Sequence, residues 1–202
     1  LEKVFIVGEK PAWVKNVTHI SVKDFNPKTK IKNTTHKLKV AVESGLLPDK
    51  FTLMNDDFFL LESMNEIPVL YYDTLKSSIK RTNEKRGLYY RAKVATLALL
   101  EKDGYLDPLD YGLHIPFEME TKNLKEVLER VALEEGQYLI RTLYGNWFCT
   151  PRTNAYDVKM RGNWSGNPQG KKFLSTDSTV VLDKAFQTWI QNKFPKPSKF
   201  EA

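Results

Sequence analysis

The sequence predicts an α/β fold: a mostly parallel sheet flanked by helices, with a helical C-terminal portion. Up to residue 61 the chain reads strand, strand, helix, strand. Strands that alternate with helices favour a parallel sheet. The balance of 41% hydrophobic and 28% charged residues over 202 positions is enough for a packed core and too apolar for a disordered chain. These features predict one domain over residues 1–202. Its start, Leu1 to Gly8, reads as a strand rather than a signal peptide, and a first strand native to the protein is expected to be missing upstream.

The elements follow from local pattern. Val4-Phe5-Ile6-Val7 is a short apolar run closed by Gly8, as a buried strand would be. His19-Ile20-Ser21-Val22 alternates and predicts a second strand. Leu38, Ala41 and Val42 lie at helical spacing between Thr34 and Ser44, with Gly45 as a stop. Phe51-Thr52-Leu53-Met54 reads as a central strand ending in Asn55-Asp56-Asp57, after which Phe58-Phe59-Leu60-Leu61 is again apolar. A short strand is expected at residues 69–72, a basic stretch at 76–91, a helix from Tyr89 to Lys102 and extended chain at 113–117. Asn123 and Glu126 have capping-box spacing at the start of a helix with Leu124, Val127, Leu128 and Val131 on one face. Gln137 to Trp147 fits another helix. Residues 152–172 are polar and turn-rich, the profile of a functional or mobile loop. Phe173 to Thr176 precedes a last helix from about Thr179 to Asn192, and 193–202 reads as an irregular tail.

The adjacent carboxylates Asp56 and Asp57 need an explanation, because like charges repel and each is costly to desolvate. A divalent cation, Mg²⁺ or Mn²⁺, meets both objections and commonly bridges to substrate phosphates. Ligands of open α/β sheets bind beyond the carboxyl ends of strands, where this pair is expected. Read alone, the pair also suits a solvated turn in which Asp56 caps the next element.

The stretch Asn33 to Leu61, NTTHKLKVAVESGLLPDKFTLMNDDFFLL, resembles the second conserved region of the Stealth family of sugar-phosphate transferases. That region runs from an Asn and a helix to a Phe-rich strand ending in Asn-Asp-Asp. His114-Ile115-Pro116, followed by a helix, is similar to the family's His-x-Pro segment. The resemblance spans about Asn33 to Arg152, and the family's first motif, Tyr-Thr-Trp-Val-Asp-Gly, has no counterpart in this sequence. It implies a GT-A-like core. It also implies transfer of a sugar or sugar 1-phosphate from a nucleotide sugar to a glycan hydroxyl. On this reading His114 and Asp57 are catalytic, with His114 as general base, and Arg141 meets substrate phosphate. Asp56 and Asp57 hold the metal, Asn55 orients a carboxylate or a sugar hydroxyl, and Lys159 neutralises phosphate oxygens.

Each residue has a plainer role open to it. An isolated His is commonly structural, Arg141 suits a paired surface charge, and His19 and His36 are expected on a strand and a helix surface. The net charge of +6 suits an anionic ligand and equally an ordinary basic surface. The sequence carries no helix-turn-helix, RRM or OB signature, so a specific nucleic-acid partner is not expected. It also lacks a nucleophile elbow, a Walker-type phosphate loop, a Cys/His cluster for zinc, and an apolar run of the roughly 20 residues that span a bilayer. The single cysteine, Cys149, fits a reducing cytoplasm. A non-catalytic GT-A-like protein that binds carbohydrate or a partner is the alternative.

Overall fold

The structure, a computed structural model, describes residues 3–26, 28–83, 85–132, 136–150, 152–166, 168 and 170–201. It is a mixed α/β arrangement of small sheets and helices. The parallel pair β1 (Phe5–Val7) and β2 (Thr18–Ile20) leads into α1 (Lys30–Glu43). Then come β3 (Lys50–Leu53), β4 (Phe58–Leu60), β5 (Leu70–Tyr71), α2 (Leu75–Arg81) and α3 (Leu88–Lys102). The strand β6 (Phe117–Glu120) runs straight into α4 (Thr121–Ala132), which is followed by α5 (Ile140–Phe148). The chain closes with β7 (Thr153–Asn154), β8 (Lys159–Met160), β9 (Phe173–Thr176), α6 (Ser178–Leu182) and α7 (Lys184–Lys193).

Strand pairing is mixed. The β5–β7 and β8–β9 ladders are parallel like β1–β2, whereas β3–β6 and β4–β9 are antiparallel. Among the described residues the strands form separate ladders with orders β1-β2, β3-β6, β4-β9-β8 and β5-β7. Strands of two to four residues carry too little pattern to announce their partners.

Several expectations need correction. The helix foreseen from Thr34 begins at Lys30, and Asn33 inside it is buried. Asn33 accepts from Phe25 N at 3.1 Å and donates to Asn26 O at 3.0 Å, so it ties down the preceding loop. Asn123 caps nothing. It lies within α4 and donates to Glu120 Oε2 at 3.3 Å. The anchor is Thr121, whose Oγ1 and N donate to Pro48 O (2.6 Å) and Asp49 O (2.8 Å). The last helix is two, because Asp183 ends α6 in an extended conformation and caps α7 through Ala185 N at 2.8 Å. The polar segment 152–172 contains β7 and β8 and is fastened to helix caps. Gly162 N donates to Asp177 Oδ2 and Trp164 N to Asp183 Oδ2, each at 3.1 Å. The tail is irregular but held, with Lys15 N donating to Phe200 O at 2.9 Å and Asn16 Nδ2 to Lys199 O at 2.6 Å.

The main core joins α1, α3, α4, α5 and β6 through Leu38, Leu100, Phe117, Met119, Leu124 and Leu143. A second core packs Leu61, Leu174, Val180 and Phe186 against Trp164 and Trp189. Leu113, Ile115 and Phe173 form a further cluster with Leu60, Leu70 and Val158. From Tyr111 to Met119 every odd-numbered residue is buried, while 112, 114 and 118 are not. This period of two commits Leu113 and Ile115 to the interior and leaves the intervening His114 accessible. No helix among the described residues is long and apolar enough to cross a membrane.

Candidate functional site

The three-stranded ladder β4-β9-β8 assembles the site. In its register Ser175 of β9 stands between Phe58 of β4 and Lys159 of β8. Asp57 immediately precedes Phe58, so its side chain reaches the fully buried Ser175 and the neighbouring Lys159. Its Oδ2 accepts from Lys159 Nζ at 2.6 Å and from Ser175 Oγ at 2.8 Å. Burial pushes the Asp57 carboxyl up, but the ammonium and the hydroxyl outweigh it, and the pKa lies below the ordinary carboxylate value. Asn55 and Asp56 are exposed in the turn before it, a turn closed by Phe58 N donating to Asn55 O at 3.2 Å.

Beside this cluster stands a His–Asp pair. His114 Nδ1 is 2.9 Å from Asp157 Oδ2 and 3.0 Å from Oδ1, and His114 N donates to Oδ1 at 3.0 Å. Asp157 lies in the loop between β7 and β8, two residues before Lys159, whose backbone N donates to Asp157 Oδ1 at 3.4 Å. The Phe58 ring meets the His114 ring edge-on at 6.3 Å between centroids, so the residue after Asp57 packs against the imidazole. Burial would raise the Asp157 carboxyl. The His114 ring and backbone N–H, with Arg161 at 3.6 Å, hold it down to about 2. A carboxylate this acidic only accepts hydrogen bonds near neutrality. Nδ1 therefore carries the ring proton and Nε2 is left as the acceptor in neutral imidazole.

Arg141 completes the neighbourhood from α5. Its Nη1 donates to Ile115 O at 2.9 Å, next to His114, and its guanidinium lies 4.9 Å from the Phe117 ring centre. Nε and Nη2 are sealed from solvent without a partner. Burial pulls its pKa down to about 10 against the opposing pull of Asp157 and Asp110. Arg141 is thus not the paired surface charge that its place on a helix allowed. Two buried N–H groups without an acceptor are costly on a cation, and Arg141 bears that cost beside His114.

The structure therefore gathers Asp57, Lys159, His114 and Arg141, and leaves Asn55 and Asp56 at the exposed rim. Sequence reasoning passed over Asp157 and Ser175. Asp157 stands in the polar segment with Lys159 two positions on, and only the fold reveals that it faces His114. A further buried network also went unseen: Ser78 Oγ donates to the Asp110 carboxylate and accepts from Lys93 Nζ at 2.6 Å. Ser78 and Asp110 are each 3% exposed, which makes this a packing feature rather than an accessible nucleophile.

Among the described residues no group of three or more His, Cys, Asp or Glu side chains could hold a metal ion. Asp56 and Asp57 remain a two-carboxylate set of the sort that Mg²⁺ shares with substrate phosphates and water. Asp57 Oδ2 already accepts from the Lys159 ammonium and the Ser175 hydroxyl, and Asp56 is exposed, so a divalent ion there would compete with Lys159 for the carboxylate. By fold and site this is a mixed α/β protein with neighbouring His–Asp and Lys–Asp pairs and an arginine with two buried, unmet N–H groups. A scan against models of known protein families gives no match, and a search of curated proteins gives none.

The lowered Asp157 pKa carries a stability prediction. A folded value of about 2 lies below the unfolded value near 3.9. The contribution is therefore complete above about pH 4 and is lost as pH falls towards 2. It amounts to roughly 2 kcal/mol. Asp157→Asn is expected to lower stability by about that much at pH 7 and to flatten the loss between pH 4 and 2. Urea unfolding at several pH values measures both.

Proposed function

We propose that the protein transfers a sugar or a sugar 1-phosphate from a nucleotide sugar to a glycan hydroxyl. The observation that carries this reading is the His114–Asp157 pair beside Asp57–Lys159, with the two unmet N–H groups of Arg141 next to it. His114 Nε2 takes the proton of the acceptor hydroxyl while Asp157 holds the ring and stabilises the imidazolium. Lys159 meets phosphate oxygens, Arg141, whose unmet N–H groups are closed to solvent, adds its charge without touching them, and Asn55 at the rim orients the sugar. A divalent ion would be held by Asp56 and Asp57 and would offset charge on the diphosphate. The parallel pairs β1–β2 and β8–β9, the flanking helices and the likeness of residues 33–61 to the Stealth family support a GT-A-like core. The single cysteine, Cys149, which leaves no intramolecular disulfide, supports cytoplasmic residence.

The two transfers break different bonds. If the acceptor oxygen attacks the anomeric carbon, the bond from that carbon to phosphate breaks and a nucleoside diphosphate leaves. If it attacks the phosphorus nearer the sugar, the bond to the bridging oxygen breaks and a nucleoside monophosphate leaves. The likeness to sugar-phosphate transferases favours the second. A panel of uridine, cytidine and guanosine diphosphate sugars with Mn²⁺ and glycan acceptors is expected to release nucleoside monophosphate. Release of diphosphate would assign sugar transfer instead. The Lys159–Asp57 pair favours one other reading, a non-catalytic carbohydrate- or partner-binding protein. Metal-independent binding of a nucleotide sugar without either product would establish that reading and end the transferase proposal.

A further inference from the structure

A separate cleft lies between α1, α3 and the end of α4, and none of Asp57, His114, Asp157 or Lys159 lines it. Its volume is about 670 Å³, within the roughly 300–1,000 Å³ of small-molecule sites. One face of α1 supplies residues 32, 35, 36 and 39, and one face of α3 supplies 88, 91, 92 and 95. Both sets follow the i, i+3, i+4, i+7 spacing of a single helical stripe. The floor is aliphatic, with Ala95, Leu128 and Ile140. Phe25 stands at the mouth, 58% exposed, with His36 stacked on it at 4.5 Å.

All the charge that the described lining residues carry at neutral pH, apart from His36, is positive: Lys32, Lys39 and Arg91. Lys39 has a loose 3.7 Å contact with Glu43, and Lys32 sits over the Phe25 ring at 5.5 Å. Among the described residues neither Lys32 nor Arg91 pairs with a carboxylate. Residues 133–135, which border the cleft in sequence, lie outside the described residues.

We propose that this cleft binds a single-chain amphiphile with an anionic head, such as an alkyl phosphate. The chain lies on the aliphatic surface of Ala95, Leu128 and Ile140, with Thr35, Gln137 and Tyr138 as the polar side chains beside it. The head meets the three cations at the rim. The cleft provides apolar burial beside Lys32 and Arg91, which meet no carboxylate among the described residues, and this ligand class uses both.

Calorimetric titration of the whole chain with dodecyl phosphate below its micelle concentration tests the proposal. Saturable one-to-one binding is expected. Decyl phosphate should bind roughly tenfold more weakly for the loss of two methylenes. Neutral dodecyl maltoside should bind at least about tenfold more weakly for want of head-group charge. The double variant K32Q/R91Q should weaken dodecyl phosphate by about tenfold and leave dodecyl maltoside unchanged, and Ala95→Phe should weaken both. Lys32 and Arg91 are exposed, so K32Q/R91Q keeps the test decisive even if the floor variant fails to fold. Non-saturating binding, equal affinity for the maltoside, or unchanged phosphate binding in K32Q/R91Q would overturn the proposal.

Discussion

Replacement of His114 by Ala is expected to lower the transfer rate by about 10²–10⁴-fold, the usual contribution of a positioned general base. The chain should remain folded. The side chain is 29% exposed, and the buried anchors of its segment, Leu113 and Ile115, are untouched. What the variant removes is the proton acceptor, and what it leaves is Asp157 without its ring partner. A loss of about 1–2 kcal/mol is the expected structural cost, readable in urea. Asp157→Asn makes the complementary cut. It keeps an acceptor for the His114 backbone N–H but no longer fixes which ring nitrogen carries the proton, so activity should fall while nucleotide-sugar binding holds. If His114→Ala turns over within a few fold of the parent, His114 is a structural residue and the proposed role for it is wrong.

The candidate site was legible where chemistry shows in a short run of residues. Asp56-Asp57 after an apolar strand drew attention because paired carboxylates are costly. His114 stood out through its place before Ile115-Pro116, and Lys159 through the polar segment around it. Asp157 and Ser175 had no such signal. Their roles depend on β8 and β9 lying side by side, and a two-residue strand such as Lys159–Met160 leaves no periodicity to read. The helices were clearer, since α3 and α4 repeat their apolar residues over several turns. The sheets were not, because direction is set by which strands meet, and β3 meets β6 across more than sixty residues of chain. Arg141 was placed on a helix correctly, yet its burial depends on Phe117 and Ile115 of another segment.

Gly145→Ala is expected to destabilise the protein by about 2–3 kcal/mol, against the direction that helix propensity dictates. Inside a helix Ala is favoured over Gly by about 1 kcal/mol, and α5 has ordinary helical geometry there. The obstacle is Tyr111. A Cβ on residue 145 would lie 2.7 Å from Tyr111 Cε2 and nearer still to Cδ2 and Cγ. The Tyr111 ring is fully buried and bounded by Phe117 at 6.0 Å and Tyr71 at 6.4 Å between centroids, so it cannot yield cheaply. For a chain of this size such a loss lowers Tm by roughly 5–10 °C. Adding Tyr111→Leu should recover part of it, because the second change removes the atoms that the first one meets, and the non-additivity measures that contact. The site is affected too. Tyr111 and His114 lie three residues apart in one connecting segment, so a ring forced aside at residue 111 is expected to move the imidazole relative to Asp157. Gly145→Ala should therefore lose transfer activity at temperatures where it is still folded, whereas a destabilising change in the second core, such as Val180→Ala, should not.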